Sequence, residues 1–342
     1  MPTLRELGEA EAIRLLTRDR AERAGVIVGP GDDAAVLRFD PGEDLVATTD
    51  AQVEGRHFLP GWMTPGERGA RLAAANLSDL AAMAARPRWA LLSIGARPDH
   101  EMGALLDFQH GLARALGQDG ALVVGGNLAA VEGGEWWSLT LLGAVERGHA
   151  WTRSGARAGD LLAVTGSPGR SAAGLALARR GGGPNAKAAR DEAWRPLLEA
   201  WLRPRARVAF ALALAPARAV RAAIDVSDGF AGDLARLCEA SGVGCDLRAG
   251  SLPEDPLLAR AADALGLGAE ALRFGPSDDY ELLLAVDPAG REACERVARE
   301  TGTPIAFAGQ LTGERGKLTL EGAGGARKPL DPRGFDHFGG RR

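Results

Sequence analysis

Four short segments set aspartates at the ends of, or inside, apolar stretches: Gly29-Pro30-Gly31-Asp32-Asp33, Thr48-Thr49-Asp50, Asn76-Leu77-Ser78-Asp79 and Asp225-Val226-Ser227-Asp228-Gly229. Carboxylates delivered to one place repel one another unless a hard cation lies between them. The chemistry this suggests is Mg²⁺ binding and, through Mg²⁺, phosphate. Taken one at a time, each segment has a plainer explanation. Asp32-Asp33 suits an Asx turn, Asp50 suits the end of a strand, and Ser227 or Asp228 suits a helix N-cap. Asp79 fits the plain explanation worst, because its neighbours Leu77, Leu80, Ala81 and Met83 would bury an unpaired carboxylate at high cost. One shared metal site covers all four segments more economically than four separate coincidences.

A carboxylate cluster of this kind suits several Mg²⁺ ions held through triphosphate oxygens, since Mg²⁺ prefers a few carboxylates plus water and substrate phosphate. The reaction would be phosphoryl transfer by positioning and charge neutralisation. Arg153 offers a fork for phosphate, or else a surface ion pair. His57 lies seven residues past Asp50 and is either in reach of substrate or a plain loop histidine. No Ser-His-Asp or Cys-His order provides a covalent nucleophile.

The elements that must position these residues can be read from periodicity. A helix over 3–20 opens on the capping box Thr3–Glu6, which is not a secretory signal, and strands follow at 34–39 and 44–49. A second helix starts at Thr64-Pro65-Gly66-Glu67 and runs to Arg86-Pro87, putting Asn76 and Asp79 on one face. A strand at 89–95, a helix at 99–116 and strands at 121–125 and 136–145 complete an α+β unit, with Gly126-Asn127 at a turn. The polar connector 151–160 marks a domain boundary, giving domains 1–150 and 151–342. After it, strands at 161–164, 219–224, 281–286 and 305–309 alternate with helices, including 228–241 and 289–301, so the second half reads as α/β. Arg180-Gly181-Gly182-Gly183-Pro184 breaks the chain. Beyond about 310 little is legible until Gly334-Phe335-Asp336-His337-Phe338.

Bulk properties exclude several classes. The 342 residues suffice for two domains, and a net charge of −4 from 41 basic and 45 acidic residues gives no footprint for nucleic acid. Lys187, Lys317 and Lys328 are the only lysines, and none sits as a P-loop requires. Cys238, Cys245 and Cys294 lack metal-ligand spacing and read as reduced packing residues. No apolar run reaches the roughly 18 residues of a membrane span. The expectation is a soluble, cytoplasmic protein with no nucleic-acid or membrane partner.

The segments G-x-G-D-D, T-D-x-x-V-E-G-x-H-F, N-L-S-D-L-A-A-M, T-R-S-G-A, T-G-S-P-G, D-V-S-D-G, D-Y-E-L and G-F-D-H-F occur in this order along nearly the whole chain. Together they resemble the thiamine-monophosphate kinase family, in the aminoimidazole ribonucleotide synthetase-like superfamily. The resemblance implies direct transfer of the γ-phosphate of ATP to thiamine monophosphate. It also implies a Mg²⁺-dependent homodimer with an amino-terminal α+β domain, whose mixed sheet forms the dimer, and a carboxy-terminal α/β domain. ATP is then expected where the two domains meet. Asp33, Thr48, Thr49, Asp50, Asp79, Asp225 and Asp228 match the family's metal ligands. Gly126, Asn127, Arg153 and Ser227 match nucleotide contacts, and His57, Asp278 and Phe335 match substrate contacts. An aromatic face at Phe335 suits the cationic thiazolium or the pyrimidine of thiamine.

The chain departs from the family pattern twice. Gly125-Gly126-Asn127-Leu128 stands where the family has G-G-D-T, so a metal-ligating carboxylate becomes an amide with one oxygen to offer. Pro276-Ser277-Asp278-Asp279 stands where the family has G-G-E-D, which shortens the substrate-facing side chain by one methylene. The rival readings are a purine-pathway amidine synthetase, a selenophosphate synthetase and an ATP-binding homologue without turnover. Selenophosphate synthesis calls for a reactive cysteine near the amino terminus, and the first cysteine here is Cys238.

Overall fold

The computed structural model describes residues 2–17, 25–28, 34–183, 192–322 and 324–335. Asp33 and the rest of the Asp32-Asp33 turn lie outside the described residues, as does the tail after Phe335. The chain divides into two compact units, one formed by residues 1–80 and 85–150 and the other by 81–84 and 151–342.

In the first unit the elements run α1 (Leu4–Leu7), α2 (Glu9–Leu16), β1 (Val26–Val28), β2 (Val36–Leu37), β3 (Glu43–Val53), α3 (Pro65–Ala82), β4 (Arg86–Ala96), α4 (Met102–Gln118), β5 (Leu122–Ala130) and β6 (Trp136–Glu146). The predicted first helix is split at Gly8, whose φ of 76° breaks the helical path. A four-stranded mixed sheet has the order β3-β6-β4-β5, with β4 and β5 parallel and the other pairs antiparallel. Its inner face buries Trp137, Leu139 and Leu141 with Leu72 and Leu80 of α3 and Leu105, Phe108, Leu112 and Leu116 of α4, while Trp89 is buried on the other face against Phe39. The period-2 pattern of β6 and the helical spacing on α4 are both read out directly by this layer.

Two sequence expectations change here, and both concern site residues. Asp50 does not end a strand: β3 continues through Val53, paired residue for residue with β6 as far as Val53↔Trp136. Gly126-Asn127 is not a turn but the middle of β5. The glycine pair is there for close approach, because a Cβ on Gly126 would lie 2.0 Å from the carbonyl oxygen of Leu92 on the neighbouring strand.

The second unit comprises β7 (Leu161–Thr165), α5 (Arg170–Gly181), α6 (Arg195–Leu202), α7 (Val208–Leu214), β8 (Val220–Asp225), α8 (Phe230–Ser241), β9 (Gly244–Arg248), α9 (Pro256–Leu265), α10 (Ala269–Phe274), β10 (Leu282–Val286), α11 (Arg291–Thr301), β11 (Ile305–Thr312), β12 (Leu318–Glu321) and β13 (Arg327–Pro329). The predicted alternation of strands and helices is present. The sheet, ordered β13-β12-β9-β11-β7-β10-β8, is mixed, and only β9 and β12 pair in parallel. β10 is buried along its whole length, with Leu283 and Ala285 in the cluster formed with Phe230, Leu234 and Phe274, and Leu282, Leu284 and Val286 buried on the other side. A strand covered on both faces reads as an unbroken apolar run.

Candidate active site and metal-binding residues

In the first unit, β3 and α3 meet along Thr48, Asp50, Asn76 and Asp79. Successive strand residues point to opposite faces, so Thr48 and Asp50 share the inner, helix-covered face and Thr49 does not. The Thr48 hydroxyl donates to Oδ2 of Asp79 at 2.5 Å, and the Asp50 backbone N–H donates to Oδ1 of Asn76 at 3.2 Å. Asn76 is fully buried and its Nδ2 donates to the Leu72 carbonyl at 2.9 Å, fixing the amide's orientation. Asn76 and Asp79 thus form one edge of α3 that reads onto Thr48 and Asp50. Both aspartates are half-buried.

Thr49 faces the other way. Its hydroxyl donates to the Leu139 carbonyl at 3.2 Å and accepts from Thr140 at 3.2 Å. Asn127 pairs in register with Ser93, and Ser93 with Ser138, so Asn127 belongs to the same outer face as Thr49 and not to that of Asp50 and Asp79. The expected metal ligands of this unit therefore fall into two sets separated by the thickness of the sheet.

His57 follows β3 in a tight turn. The N–H of Val53 donates to its Nδ1 at 3.1 Å, which makes Nδ1 the acceptor and leaves the proton of the neutral ring on Nε2. The exposed ring can then donate from Nε2 to an anion. Phe58 next to it is buried against Trp137, and the Arg68 guanidinium lies 5.0 Å from the Phe58 ring centre and 4.6 Å from that of Trp137. Glu54 accepts from Arg97 at 2.7 Å and from the Glu135 N–H at 3.0 Å. The latter bond, first among several causes, holds its carboxyl below the usual range.

In the second unit the loop leaving β8 carries Asp225, Ser227 and Asp228. Asp225 is buried in register with Leu282. The loop is clasped by the β10 lead-in: the Val226 N–H donates to the Glu281 carbonyl at 2.7 Å and the Tyr280 N–H to the Val226 carbonyl at 2.8 Å. Gly229 has a φ of 126°, and a Cβ there would meet the Gly275 carbonyl at 2.4 Å, so both conformation and space demand glycine. Asp233, in the first turn of α8, accepts at Oδ2 from the N–H groups of Ser227 (3.1 Å), Asp228 (3.0 Å) and Gly229 (3.0 Å). Arg236 donates through one nitrogen to Oδ1 of Asp233 at 2.6 Å and to Oδ2 of Asp228 at 2.5 Å. Burial nonetheless pushes the Asp233 carboxyl up.

Three further acids occupy Asp278-Asp279-Tyr280-Glu281. Asp278 is half-buried and accepts from the Ser171 hydroxyl at the start of α5. Asp279 is the anion at that helix start, accepting from the N–H groups of Gly169 (2.7 Å) and Ser171 (2.8 Å) and from the Ser277 hydroxyl (2.7 Å). Complete burial raises its pKa to about 6 despite these donors. Glu281 accepts from Arg207 in a two-pronged pair and from the Thr165 hydroxyl at 2.7 Å. Tyr280 between them has a φ of 52°, a conformation costly for a bulky side chain and held here by the pinned acids on either side. Sequence reasoning singled out Asp278 and passed over Asp279, Glu281, Arg207, Asp233 and Arg236. For Asp233, the available signal was an acid in the first turn of a helix.

Phe335 approaches the same loop. Its N–H donates to the Asp228 carbonyl at 2.8 Å while its ring stays 48% exposed. Arg153 is exposed, and its carbonyl accepts from Ser241 at 2.8 Å. Among the described residues no three His, Cys, Asp or Glu side chains converge on one point. The donors that do meet, the Asp79 carboxylate and the Thr48 hydroxyl, are hard oxygens and suit Mg²⁺ rather than a soft or nitrogen-seeking metal.

Residues 31–145 match the AIR synthase related protein N-terminal domain and residues 157–321 its C-terminal domain. The thiamine-monophosphate kinase of Escherichia coli is 35% identical over 331 residues, covering 95% of this chain and 96% of the relative. The chain belongs to the thiamine-monophosphate kinase family. Among solved structures, the family member from Stenotrophomonas maltophilia is 32% identical, with a TM-score of 0.79 over 92% of this chain and 95% of that one. A structure of AaThiL complexed with AMPPCP and TMP is 28% identical, with a TM-score of 0.75 over 99% of each chain.

Proposed function

We propose that this chain transfers the γ-phosphoryl group of ATP to thiamine monophosphate, giving thiamine diphosphate and ADP. The observation that carries the reading is the Thr48–Asp79 and Asp50–Asn76 assembly, an oxygen-donor edge set before any ligand arrives, in a chain similar end to end to thiamine-monophosphate kinases. Mg²⁺ bound to such an edge would neutralise phosphate charge and hold attacking and leaving oxygens in line. Thr48, Asp50 and Asp79 are assigned to one such edge, while Thr49 on β3 and Asn127 on β5 share the outer face at opposite edges of the sheet and are assigned as separate ligands by family resemblance. Asp225 and Asp228 are the carboxylates of the other unit, and Asp33 is assigned with them by family resemblance.

Positioning falls to the remaining residues. Gly126 and Ser227 contact nucleotide. Arg153 forks onto phosphate, which suits its exposed guanidinium. His57 donates from Nε2 to the acceptor phosphate, and Asp278 is the second substrate contact. The exposed Phe335 ring stacks on the cationic thiamine. The acceptor is itself a phosphate oxygen, so no covalent enzyme intermediate is needed.

The functional unit is a homodimer through the outer face of the first sheet. That face exposes Leu45 (54%), Leu91 (38%) and Val53 (36%) around the polar residues Thr49, Ser138 and Thr140. A sheet face with this apolar content wants a partner. Cytoplasmic residence agrees with three free, buried cysteines, and among the described residues no helix is long and apolar enough to cross a membrane.

The test is a coupled assay of ADP release with ATP, Mg²⁺ and thiamine monophosphate, with thiamine diphosphate identified as product. Formation dependent on all three supports the reading, and its absence at saturating Mg²⁺ rejects it.

A further inference from the structure

The Asp228–Arg236–Asp233 arrangement is asymmetric in a way that the phosphoryl transfer itself does not require. Arg236 uses a single nitrogen for both acids, at 2.5 Å to Asp228 and 2.6 Å to Asp233. The Asp233 side chain is 1% exposed, and its other oxygen is held by three backbone N–H groups, so it cannot turn. The Asp228 side chain is 31% exposed and Arg236 is 42% exposed. Only the Asp228 side chain and the guanidinium are free to rearrange, while the Asp228 backbone stays pinned between Asp233 and the Phe335 N–H.

We propose that Arg236 is a positioning residue that serves as the counter-ion of Asp228 until a divalent cation takes its place. A carboxylate oxygen bonded to a guanidinium is an oxygen a hard cation must compete for, and the two cations repel each other at that range. Were a divalent cation bound, Asp228 would supply an oxygen to it while Arg236 kept its bond to Asp233. The arrangement holds the Asp228 carboxylate in a fixed ion pair. The inference rests on the assignment of Asp228 as a metal ligand.

The experiment measures Mn²⁺ binding to the full chain without nucleotide, by calorimetry and by the electron paramagnetic resonance signal of free Mn²⁺. The variants are Asp228→Asn, Arg236→Gln, Arg236→Lys and the double variant Asp228→Asn/Arg236→Gln. Arg236→Gln is expected to tighten Mn²⁺ binding about two- to fivefold, the size of a half-exposed ion pair removed as competitor. Arg236→Lys keeps the competing charge and stays near wild type. Asp228→Asn weakens binding, and in the double variant the Arg236→Gln gain disappears. If Asp228→Asn weakens binding while Arg236→Gln leaves it equal or weaker, the counter-ion role is overturned and the ligand assignment stands. If Asp228→Asn has no effect, the ligand assignment fails and the inference with it. Should Arg236→Gln not fold, the ¹⁵N side-chain resonances of Arg236 in the wild-type protein must move on MgCl₂ addition, and an unmoved signal overturns the proposal.

Discussion

The hydroxyl of Thr48 on β3 reaches Oδ2 of Asp79 on α3 at 2.5 Å, across 31 residues of sequence. This bond explains how a carboxylate can sit inside an otherwise apolar helix. The neutral donor satisfies one oxygen of Asp79 without adding a charge beside it. The bond fixes the orientation of the Asp79 side chain against β3.

Replacing that ligand removes charge where phosphate charge must be offset. Asp79→Asn is expected to lower kcat by on the order of 10²-fold or more and to raise the Mg²⁺ needed for half-maximal rate, with Thr48→Val a milder version of both. Steady-state ADP release across a Mg²⁺ titration measures this, with circular dichroism as the folding control. A kcat within about threefold of wild type would remove Asp79 from the metal site.

Asn127→Asp restores a carboxylate on the outer face beside Ser93. The expected outcome is a Mg²⁺ titration shifted to lower concentration, read in the same assay. An unchanged curve would mean that residue 127 meets no metal.

The outer face itself is open to a direct test. Leu91, at 38% exposure in the central strand β4, becomes a buried charge in a dimer if mutated to aspartate. Sedimentation of wild type should give twice the chain mass of 35.6 kDa, and Leu91→Asp should shift the population toward monomer. A Leu91→Asp protein as dimeric as wild type would place the interface elsewhere.

Asp279 makes stability depend on pH in a defined direction. Its pKa is raised to about 6 in the fold, above the roughly 3.9 of an unfolded chain. Below about pH 4 both states hold the proton and the full contribution is present. Between about 4 and 6 the native state retains the proton that the unfolded state has lost, so stability from this group falls as pH rises. Unfolding midpoints in urea at pH 4.5, 5.5 and 7 should show wild type losing stability relative to Asp279→Asn over this window. A constant difference would mean that burial does not perturb the group.

The Arg207–Glu281 pair should be expensive to break and cheap to replace whole. Glu281→Gln or Arg207→Met alone leaves a buried, uncompensated group and should cost about 3 kcal/mol, whereas Arg207→Met/Glu281→Leu should cost clearly less than the sum. A double-mutant cycle by denaturant unfolding checks this. Strict additivity would show that the two side chains do not interact.

The family was legible because aspartates embedded in apolar segments are costly unless used, and because the segments keep their order along the chain. The helix carrying Asn76 and Asp79 follows from its Pro65 start and its period, and it is present as α3. The ambiguity lay where local signals have two physical causes. Gly125-Gly126 reads as a turn because glycine favours turns, but its cause is the approach of the Leu92 carbonyl, which no local pattern encodes. Thr48 and Thr49 read as equivalent neighbours, yet strand alternation sends them to opposite faces once β3 extends through Val53.

The sequence by itself determined the family, the absence of a P-loop lysine and the two-part organisation, because composition, acid placement and segment order are local properties. The tertiary structure alone decided which acids are tied up as scaffolding. Asp233, Asp279 and Glu281 carry the same carboxylate as Asp50 and Asp79, but burial against backbone N–H groups and Arg207 commits them to holding the loops. That difference depends on which partners long-range strand pairing brings within hydrogen-bond reach, and a one-dimensional pattern does not contain it.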